Sequence, residues 1–250
     1  MQYFNINYEL SKAEVHRQID EQLEKEHADY ICVADGNILQ MVHNDIRYRN
    51  VVNGGMFSIC DSSWVPLYIK WIYGFKPEQY CGSQIFECIL SMKKYRMFFL
   101  GTSQDILEAL KDNITKQYDS RISEMTFMEL PFRNVDDFDY EDIAKRIETD
   151  NPDIIWIALG APKQEIFMSK LKPYLNRGVM IAVGAAFKFY SGVSEKRAPK
   201  WMIRCHLEFV YRLFSEPKKQ MKRCWLIIKT LPKIYCDEKK RSRGVIIIDK

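Results

Sequence analysis

Four short polar stretches of the sequence combine residue types that can move protons or hold anions. Each follows an apolar run, at the point where a buried strand would end: 35–37, 61–63, 160–165 and 184–188. A carboxylate can act as a general base, a lysine can neutralise a phosphate, and a glycine turn can offer backbone N–H groups to an anion. These stretches predict acid–base chemistry on an anionic substrate.

Asp61 is the strongest candidate for a catalytic carboxylate. It lies between the apolar runs MFSIC and WVPLY, where partial desolvation would raise its pKa and improve it as a base. An aspartate in front of a helix can equally be an N-cap that accepts backbone N–H bonds. The spacing leaves both interpretations open, and the same holds for Asn37.

The stretch LGAPKQEIF, residues 159–167, groups a cation, an amide and a carboxylate. Lys163 could neutralise a phosphate, whereas Gln164 and Glu165 could be ordinary residues of a first helical turn. The turn 101–103 could offer N–H groups to an anion at a helix N-terminus. No Walker A loop and no G-x-G-x-x-G element follows any predicted strand, which argues against P-loop and dinucleotide-binding proteins.

Asp137 and Asp139 form a D-x-D pattern of the kind that binds a divalent metal in many sugar transferases. The pattern lies in an acidic loop before an amphipathic helix and follows no clear strand. The favoured interpretation is therefore a solvated helix N-terminus, and we predict no metal site and no cofactor.

The elements that must position these residues follow from the apolar runs. Runs at 30–34, 56–60, 95–101, 154–159 and 179–184 predict buried strands, and 122–130 predicts an edge strand. Helical stretches separate them, which is typical of a mostly parallel sheet. We expect a Rossmann-like α/β fold whose four polar stretches share the carboxyl edge of the sheet.

From about Arg197 the pattern changes to helix alone. We predict an α/β catalytic domain over 1–195 and a basic helical appendage with its tail over 196–250. Between residues 201 and 235, eight basic residues stand against two acidic ones, which favours an anionic partner; a solvated helix face is the other interpretation. We expect the last helix to end at Pro232 and the tail to be a strand or loose.

Composition restricts the class of protein. The 47% apolar content suits a substantial core. Seven cysteines without a C-x-x-C pair indicate the reduced thiols of a cytoplasmic protein. No secretion signal and no run of about 18 apolar residues is present, so we expect a chain that is soluble or lies on a membrane surface.

Several motifs together resemble the WecG/TagA/CpsF glycosyltransferases (glycosyltransferase family 26). The stretches LGAPKQE and VGAAFKFYSGVSEKRAPKWMIRCHLEFVYRLFSEPKK match the family's G-x-P-K-Q-E, V-G-A-x-F-D, R-A-P-x-W-M and E-W-x-x-R-L elements. ICVADGN, ICDSSWVPLY and FFLGTSQDILEAL resemble its earlier strand ends. The resemblance covers about residues 30 to 220.

The resemblance implies an inverting enzyme of bacterial surface-polysaccharide synthesis. Such enzymes move a sugar from a UDP-sugar to a polyprenyl-diphosphate-linked saccharide at the cytoplasmic membrane face. Asp61 would be the general base, Asn37 would position substrate, and the basic appendage would dock on an anionic membrane surface. The remaining residues implied to bind nucleotide sugar or diphosphate are Gly101, Gly160, Lys163, Gln164, Glu165, Gly184, Arg197, Arg212, Lys218 and Arg223.

The sequence departs from the family pattern at Ser62, which replaces a glycine, and at Gln84 and Lys188, which replace acids. Lys188 predicts a preference for an acidic donor sugar. The departures keep open a catalytically inactive member that binds nucleotide sugars. A nucleic-acid-binding protein using the basic helices is the weakest alternative. Exposed apolar residues of the appendage would favour a homo-oligomer.

Overall fold

The computed structural model describes residues 1–62, 64–193 and 217–248. A six-stranded parallel sheet forms its centre, in the order β4-β3-β8-β7-β5-β6, and an antiparallel pair, β1 and β2, lies near the N-terminus. The strands are β1 Gln2–Tyr3, β2 Ile6–Asn7, β3 Asp29–Ala34, β4 Phe57–Cys60, β5 Met97–Gly101, β6 Thr126–Met128, β7 Ile154–Ala158 and β8 Val179–Ala182.

The four central strands β3, β8, β7 and β5 consist almost entirely of buried apolar residues. Such continuous apolar runs are typical of parallel strands that are covered on both faces. The register pairs Ala34 with Cys60 and Gly101 with Ala158, so the carboxyl ends of neighbouring strands lie level. The predicted α/β sheet is confirmed, but its edge strand β6 is shorter than predicted, since Ser120–Glu124 form a 3-10 helix.

Helices cover both faces of the sheet. They are α1 Lys12–Leu23, α2 Gly36–Asn44, α3 Ile46–Asn53, α4 Trp64–Tyr73, α5 Gly82–Met92, α6 Gln104–Gln117, α7 Tyr140–Asp150, α8 Lys163–Leu171, α9 Ala186–Ser191 and α10 Pro217–Ile248. The first core packs α2, α3, α4, α7, α8 and α10 on one face, and the second packs α1, α5, α6 and α9 on the other.

The neighbouring strands β3 and β8 lead into helices on opposite faces of the sheet. The chain leaves β3 into α2 on the first face, whereas it leaves the neighbouring β8 into α9 on the second face. Open α/β sheets bind ligands in the crevice at the carboxyl ends of such strands. We call the space at the carboxyl ends of β4, β3, β8 and β7 the crevice.

Acidic residues at the opposite, amino edge of the sheet pair with bases. Asp29 lies 2.8 Å from the Lys172 ammonium, and Asp153 lies 2.7 Å from the Arg177 guanidinium. Asp150 also forms a salt bridge, with Arg96. These pairs tie the amino ends of β3, β7, β5 and β8 to the preceding loops.

The helix α10 differs from its prediction. It continues through Pro232 to Ile248, so the expected end at Pro232 is wrong. A proline removes only one helical hydrogen bond, and burial of a stripe that includes Leu231, Ile234, Glu238 and Ser242 against the body outweighs that loss. Within the described ranges no helix is long and apolar enough to cross a membrane.

A polar clamp fastens the second half of α10. The Tyr73 hydroxyl donates to Glu238 at 2.7 Å, and Arg241 donates to Glu238 at 2.6 Å and to the Gln2 carbonyl oxygen at 2.8 Å. Glu238 is buried and forms a salt bridge with Arg241. The division near residue 195 stays a prediction, because 194–216 lie outside the described residues.

Candidate active site

Asp61 lies directly after β4 at the crevice and is half-buried. Its backbone N–H donates to the Ala34 carbonyl oxygen at 3.1 Å, and its own carbonyl oxygen accepts from Gln79 at 3.1 Å. These two bonds fix it beside the end of β3. At the start of α4 the Ser62 hydroxyl accepts from the Trp64 backbone N–H at 3.3 Å.

The end of β3 presents Asp35 and Asn37. Asp35 is the N-cap of α2, and its Oδ1 accepts from the N–H groups of Asn37 and Ile38, both at 2.9 Å. Asn37 therefore lies in the first turn of α2, with its Nδ2 3.6 Å from the Met41 sulfur. A Cβ on Gly36 would lie 3.3 Å from the Ile227 side chain, so α10 covers this turn.

A tight turn after β7 brings Gly160 and Gln164 together. Gly160 adopts φ +76, and the Ala161–Pro162 peptide bond is cis. The Gly160 N–H donates to the Gln164 side-chain oxygen, and the Gln164 N–H donates to the Gly160 carbonyl oxygen, both at 3.1 Å. A Cβ on Gly184 would lie 3.6 Å from the same Gln164 oxygen. The predicted residues of β7 and β8 thus meet at the crevice.

Glu165 is completely buried beneath this turn. It accepts from the Gln164 Nε2 at 2.9 Å and from the Tyr48 hydroxyl of α3 at 3.0 Å. Burial, with a further contribution from the Asp35 charge, raises its pKa to about 7 despite these hydrogen bonds. Burial and the neighbouring Glu165 also raise the pKa of Tyr48, which stays a donor at all ordinary pH values.

Lys163 does not lie with Gln164 and Glu165. Its ammonium donates to the Arg133 carbonyl oxygen and stands 5.2 Å from the ring centroids of both Phe132 and Phe138. The loop after β6 and the start of α8 thereby enclose a groove, with Pro162 on its wall and the Phe132 ring fully exposed at its rim. The groove opens at the carboxyl side of the sheet, next to the Gly160 turn.

Gly101 has a packing reason for being glycine. It adopts φ +115, and a Cβ there would lie 2.7 Å from the Ala158 carbonyl oxygen of the paired strand. The following turn places Ser103 as N-cap of α6 without a side-chain cap bond. Anion binding by the turn 101–103 stays a prediction.

Two departures from the family pattern have different surroundings. The Gln84 side-chain oxygen accepts from the Cys81 N–H at 3.2 Å, so Gln84 performs the N3 role of a capping box at the start of α5. This is a structural use for the amide. Lys188 lies in the first turn of α9, after the end of β8. Its carbonyl oxygen accepts from the Ser191 hydroxyl at 2.9 Å.

The acidic loop before α7 agrees with the favoured interpretation of the D-x-D pattern. Asp139 is the N-cap of α7, accepting from the Asp142 N–H at 2.9 Å, and Asp137 ends a short 3-10 helix, Val135–Asp137. Across the described ranges no group of three or more His, Cys, Asp or Glu side chains is arranged to hold a metal.

Four predicted site residues lie beyond what the structure describes. Arg197 and Arg212 fall in 194–216, and the side chains of Lys218 and Arg223 are not described although α10 includes their backbone. Sequence reasoning also missed Tyr48 and the groove residues Phe132 and Arg133. Tyr48 carries no signal, since it fits the apolar stripe of α3, but a Pro-Phe-Arg-Asn loop after a predicted edge strand could have been noticed.

A parallel sheet with a crevice at its carboxyl edge, lined by an aspartate, an asparagine and a Gly-Gln turn, defines a Rossmann-like α/β protein, a class in which ligands bind at that edge. The sequence profile of the family described as "Glycosyl transferase WecG/TagA/CpsF family" matches residues 1–244. The chain belongs to this family, as its motifs led us to expect.

Relatives agree with the family assignment. A Bacillus subtilis (strain 168) protein named N-acetylglucosaminyldiphosphoundecaprenol N-acetyl-beta-D-mannosaminyltransferase is 28% identical over 193 residues, covering 76% of this chain and 70% of the relative. A Bacillus spizizenii protein of the same name is 26% identical over 225 residues, covering 89% and 83%. One from Staphylococcus aureus (strain MW2) is 24% identical over 196 residues, covering 76% and 73%.

Proposed function

We propose that the chain is an inverting glycosyltransferase that moves a sugar from a UDP-sugar to a polyprenyl-diphosphate-linked saccharide. The observation that carries the proposal is the position of Asp61 at the crevice of a chain that belongs to a glycosyltransferase family. The names of the relatives support a diphosphoundecaprenol-linked N-acetylglucosamine as the acceptor.

Asp61 is the proposed general base. Its carboxylate takes the proton of an acceptor hydroxyl as the hydroxyl oxygen forms a bond to C1 of the donor sugar. The bond from C1 to the UDP oxygen breaks on the opposite face, so the configuration at C1 inverts and UDP leaves with the electron pair. The half-buried setting of Asp61 keeps it beside the crevice while leaving one side accessible.

The donor is proposed to lie across the crevice and the groove beside it. Phe132 offers an aromatic face for a nucleobase, and Lys163 and Arg133 supply positive charge near a diphosphate. Gly160, Gln164 and Gly184 would meet the sugar diphosphate between β7 and β8. Arg197, Arg212, Lys218 and Arg223 remain proposed partners of the leaving diphosphate, and Asn37 of the acceptor.

The acceptor lipid is proposed to reach the crevice along α10 at the cytoplasmic membrane face. Trp225 is 69% exposed and Ile228 64% exposed, on a helix that also carries Lys229 and Lys233. Aromatic and basic side chains on one helix suit an anionic lipid surface. Contact of Ile227 with Gly36 brings that helix to the turn that holds Asn37. Off the membrane, the same apolar residues favour self-association.

The test is UDP release from a panel of UDP-sugars with a polyprenyl-diphosphate N-acetylglucosamine acceptor. UDP-N-acetylmannosamine and its uronic acid lead the panel, and Lys188→Asp decides whether charge selects between them. We expect release with one donor and a loss of about 10³-fold in kcat for Asp61→Asn, since a general base contributes on the order of 10² to 10⁴.

Asp105→Asn is the matched control, because Asp105 also follows a strand at the carboxyl edge but is exposed in the first turn of α6. It should keep full activity. UDP binding without release from any donor would favour the inactive-member alternative, and full activity of Asp61→Asn would remove the aspartate from the mechanism. The capping role of Gln84 weakens one reason for that alternative.

A further inference from the structure

A buried polar chain connects α3 to the end of β7. It runs from the Tyr48 hydroxyl to Glu165, from Glu165 to the Gln164 amide, and from that amide to the Gly160 N–H, with steps of 3.0, 2.9 and 3.1 Å. Tyr48 and Gln164 are each 4% exposed and Glu165 is 0% exposed. Three polar side chains are thus withdrawn from water in the middle of an apolar core.

Burial of the Glu165 carboxyl group carries an unfavourable desolvation free energy. Apart from Gln164, the other buried side chains of α8 are apolar, such as Phe167 and Met168. Among the described residues no lysine or arginine pairs with the Glu165 carboxyl. An apolar residue of similar size would avoid the desolvation of a carboxyl group altogether. The role of Glu165 therefore lies in its hydrogen bonds to the Tyr48 hydroxyl and the Gln164 amide.

What Glu165 does fix is the orientation of one amide. An ionised carboxylate can only accept hydrogen bonds, so it must face the Nε2 of Gln164, while the Gly160 N–H must face the Oε1. If the Gln164 amide were flipped, its oxygen would face the Glu165 carboxylate and its NH₂ group would face the Gly160 N–H. The second hydrogen of Nε2 has no partner in the part of the chain that the structure describes. That amide end lies beside Gly184, at the crevice.

We propose that Glu165 and Tyr48 are positioning residues, which hold the Gln164 amide so that its remaining N–H meets an oxygen of the bound sugar diphosphate. This inference rests on the proposed function. Glu165 does not touch substrate itself, because it is completely buried, and Tyr48 secures it from the side of α3.

Protonation of Glu165 weakens the hydrogen bond that it accepts from the Gln164 amide. Burial places the pKa of Glu165 at about 7. The titratable groups that act on it are Asp35 at the end of β3, Tyr48 on α3, and Cys32 and Tyr30 within β3. Burial holds the pKa of the tyrosines and of Cys32 above their usual values, so these three stay neutral around pH 7. A proton on Glu165 makes it a poorer acceptor for Gln164, so kcat/KM should fall as the pH drops below neutrality.

The first experiment compares pH profiles of kcat/KM for the wild type and Glu165→Gln, from about pH 5.5 to about pH 9. A glutamine can accept from Gln164 and donate to the Tyr48 oxygen without titrating. We expect the variant to keep activity within about threefold at high pH and to lose the acid limb centred near 7. An acid limb that persists unchanged in Glu165→Gln would overturn the assignment.

The second experiment separates positioning from folding by a double-mutant cycle. Glu165→Leu and Gln164→Ala should each lower kcat/KM about tenfold or more, and Glu165→Leu should add nothing in the Gln164→Ala background. A purely structural Glu165 would give additive losses that follow the melting temperature. Tyr48→Phe should shift the acid limb while keeping the fold.

Failure of the proposed function has its own signature. If the wild type transfers no sugar, UDP affinity measured by calorimetry replaces kcat/KM in the same cycle. Equal, non-additive losses of UDP affinity would then support the positioning of Gln164 although the transferase assignment had failed. Unchanged UDP affinity in both single variants would refute the positioning inference.

Discussion

The two edges of the central sheet handle acidic residues in opposite ways. At the amino edge Asp29, Asp153 and Asp150 each have a basic partner. At the carboxyl edge Asp35 and Glu165 are held by backbone N–H groups, an amide and a tyrosine, and neither forms a salt bridge within the described residues. Both edges carry carboxylates, but only one edge neutralises them.

The difference separates stability from function. A carboxylate paired with a base is already satisfied and adds modestly to the stability of the strand ends. A carboxyl group held only by neutral donors has no opposite charge beside it, and its hydrogen bonds instead orient the groups that donate to it. Sites of this kind lower stability in exchange for activity. The salt bridges of the amino edge thus stabilise the sheet, whereas the carboxyl edge is where we propose that the ligand binds.

Gly101→Ala would break this comparison, and it has the largest expected effect on stability. Gly101 lies at the carboxyl edge, yet its Cβ would meet the Ala158 carbonyl oxygen at 2.7 Å with φ +115. We expect the free energy of unfolding to fall by about 4 kcal/mol, from backbone strain and overpacking together. Urea denaturation measures this.

Gly244→Ala is the matched control for that substitution, because a Cβ on this exposed helical glycine meets nothing within 4 Å. It should raise the free energy of unfolding by up to about 1 kcal/mol. A Gly101→Ala protein as stable as the wild type but unable to bind UDP would instead make Gly101 a ligand residue.

Glu165→Gln would sharpen the comparison through pH. The folded pKa of Glu165 is about 7 against an ordinary value of 4.5, so the folded state binds the proton more tightly than the unfolded state. The wild type therefore loses stability as the pH rises through this window, and the variant does not. The free energy of unfolding of the variant minus that of the wild type should increase by about 3 kcal/mol between acid and alkaline pH.

Chemical denaturation at several pH values measures this difference. Below about pH 4.5, where both side chains are neutral, the difference in unfolding free energy between the two proteins should no longer change with pH. A difference independent of pH would show that Glu165 does not titrate in this window.

Asp153→Ala tests the amino edge and has the smallest expected effect. It removes the Arg177 pair and the bond from the Arg96 N–H at 2.8 Å. We expect a loss of about 1 to 2 kcal/mol in unfolding free energy and an unchanged kcat. Lys145→Ala, which breaks an exposed pair with Glu141, should change stability by less than about 0.5 kcal/mol. A fall in kcat for Asp153→Ala would show that the two edges are coupled.

The sequence was sufficient to predict the sheet and the edge at which the candidate site residues lie. Apolar runs of five to seven residues identify the central strands, and parallel pairing then places Asp35, Asp61, Gly160 and Gly184 together. Motif resemblance added the family. These features depend on local pattern, which a sequence displays directly.

The contacts inside the site could not be predicted. Tyr48 and Glu165 are 117 residues apart, and nothing in either neighbourhood indicates that they meet. Lys163 was expected beside Gln164, but its long side chain turns to the Arg133 carbonyl oxygen of the loop after β6. The continuation of α10 through Pro232 depends on its burial against the body. Each of these outcomes follows from tertiary packing, which overrides local preference.

The clamp between Arg241 and Gln2 joins residues 239 positions apart, and this sets an order of events during synthesis. A chain that leaves the ribosome at roughly 5 to 20 residues per second completes β8 several seconds before Arg241 emerges. The sheet and its crevice can therefore assemble first, while the faces of α2 and α4 that receive α10 are still bare. The helix α10 then packs against an already folded sheet. A truncated or stalled chain would therefore expose the apolar faces of α2 and α4 to chaperones.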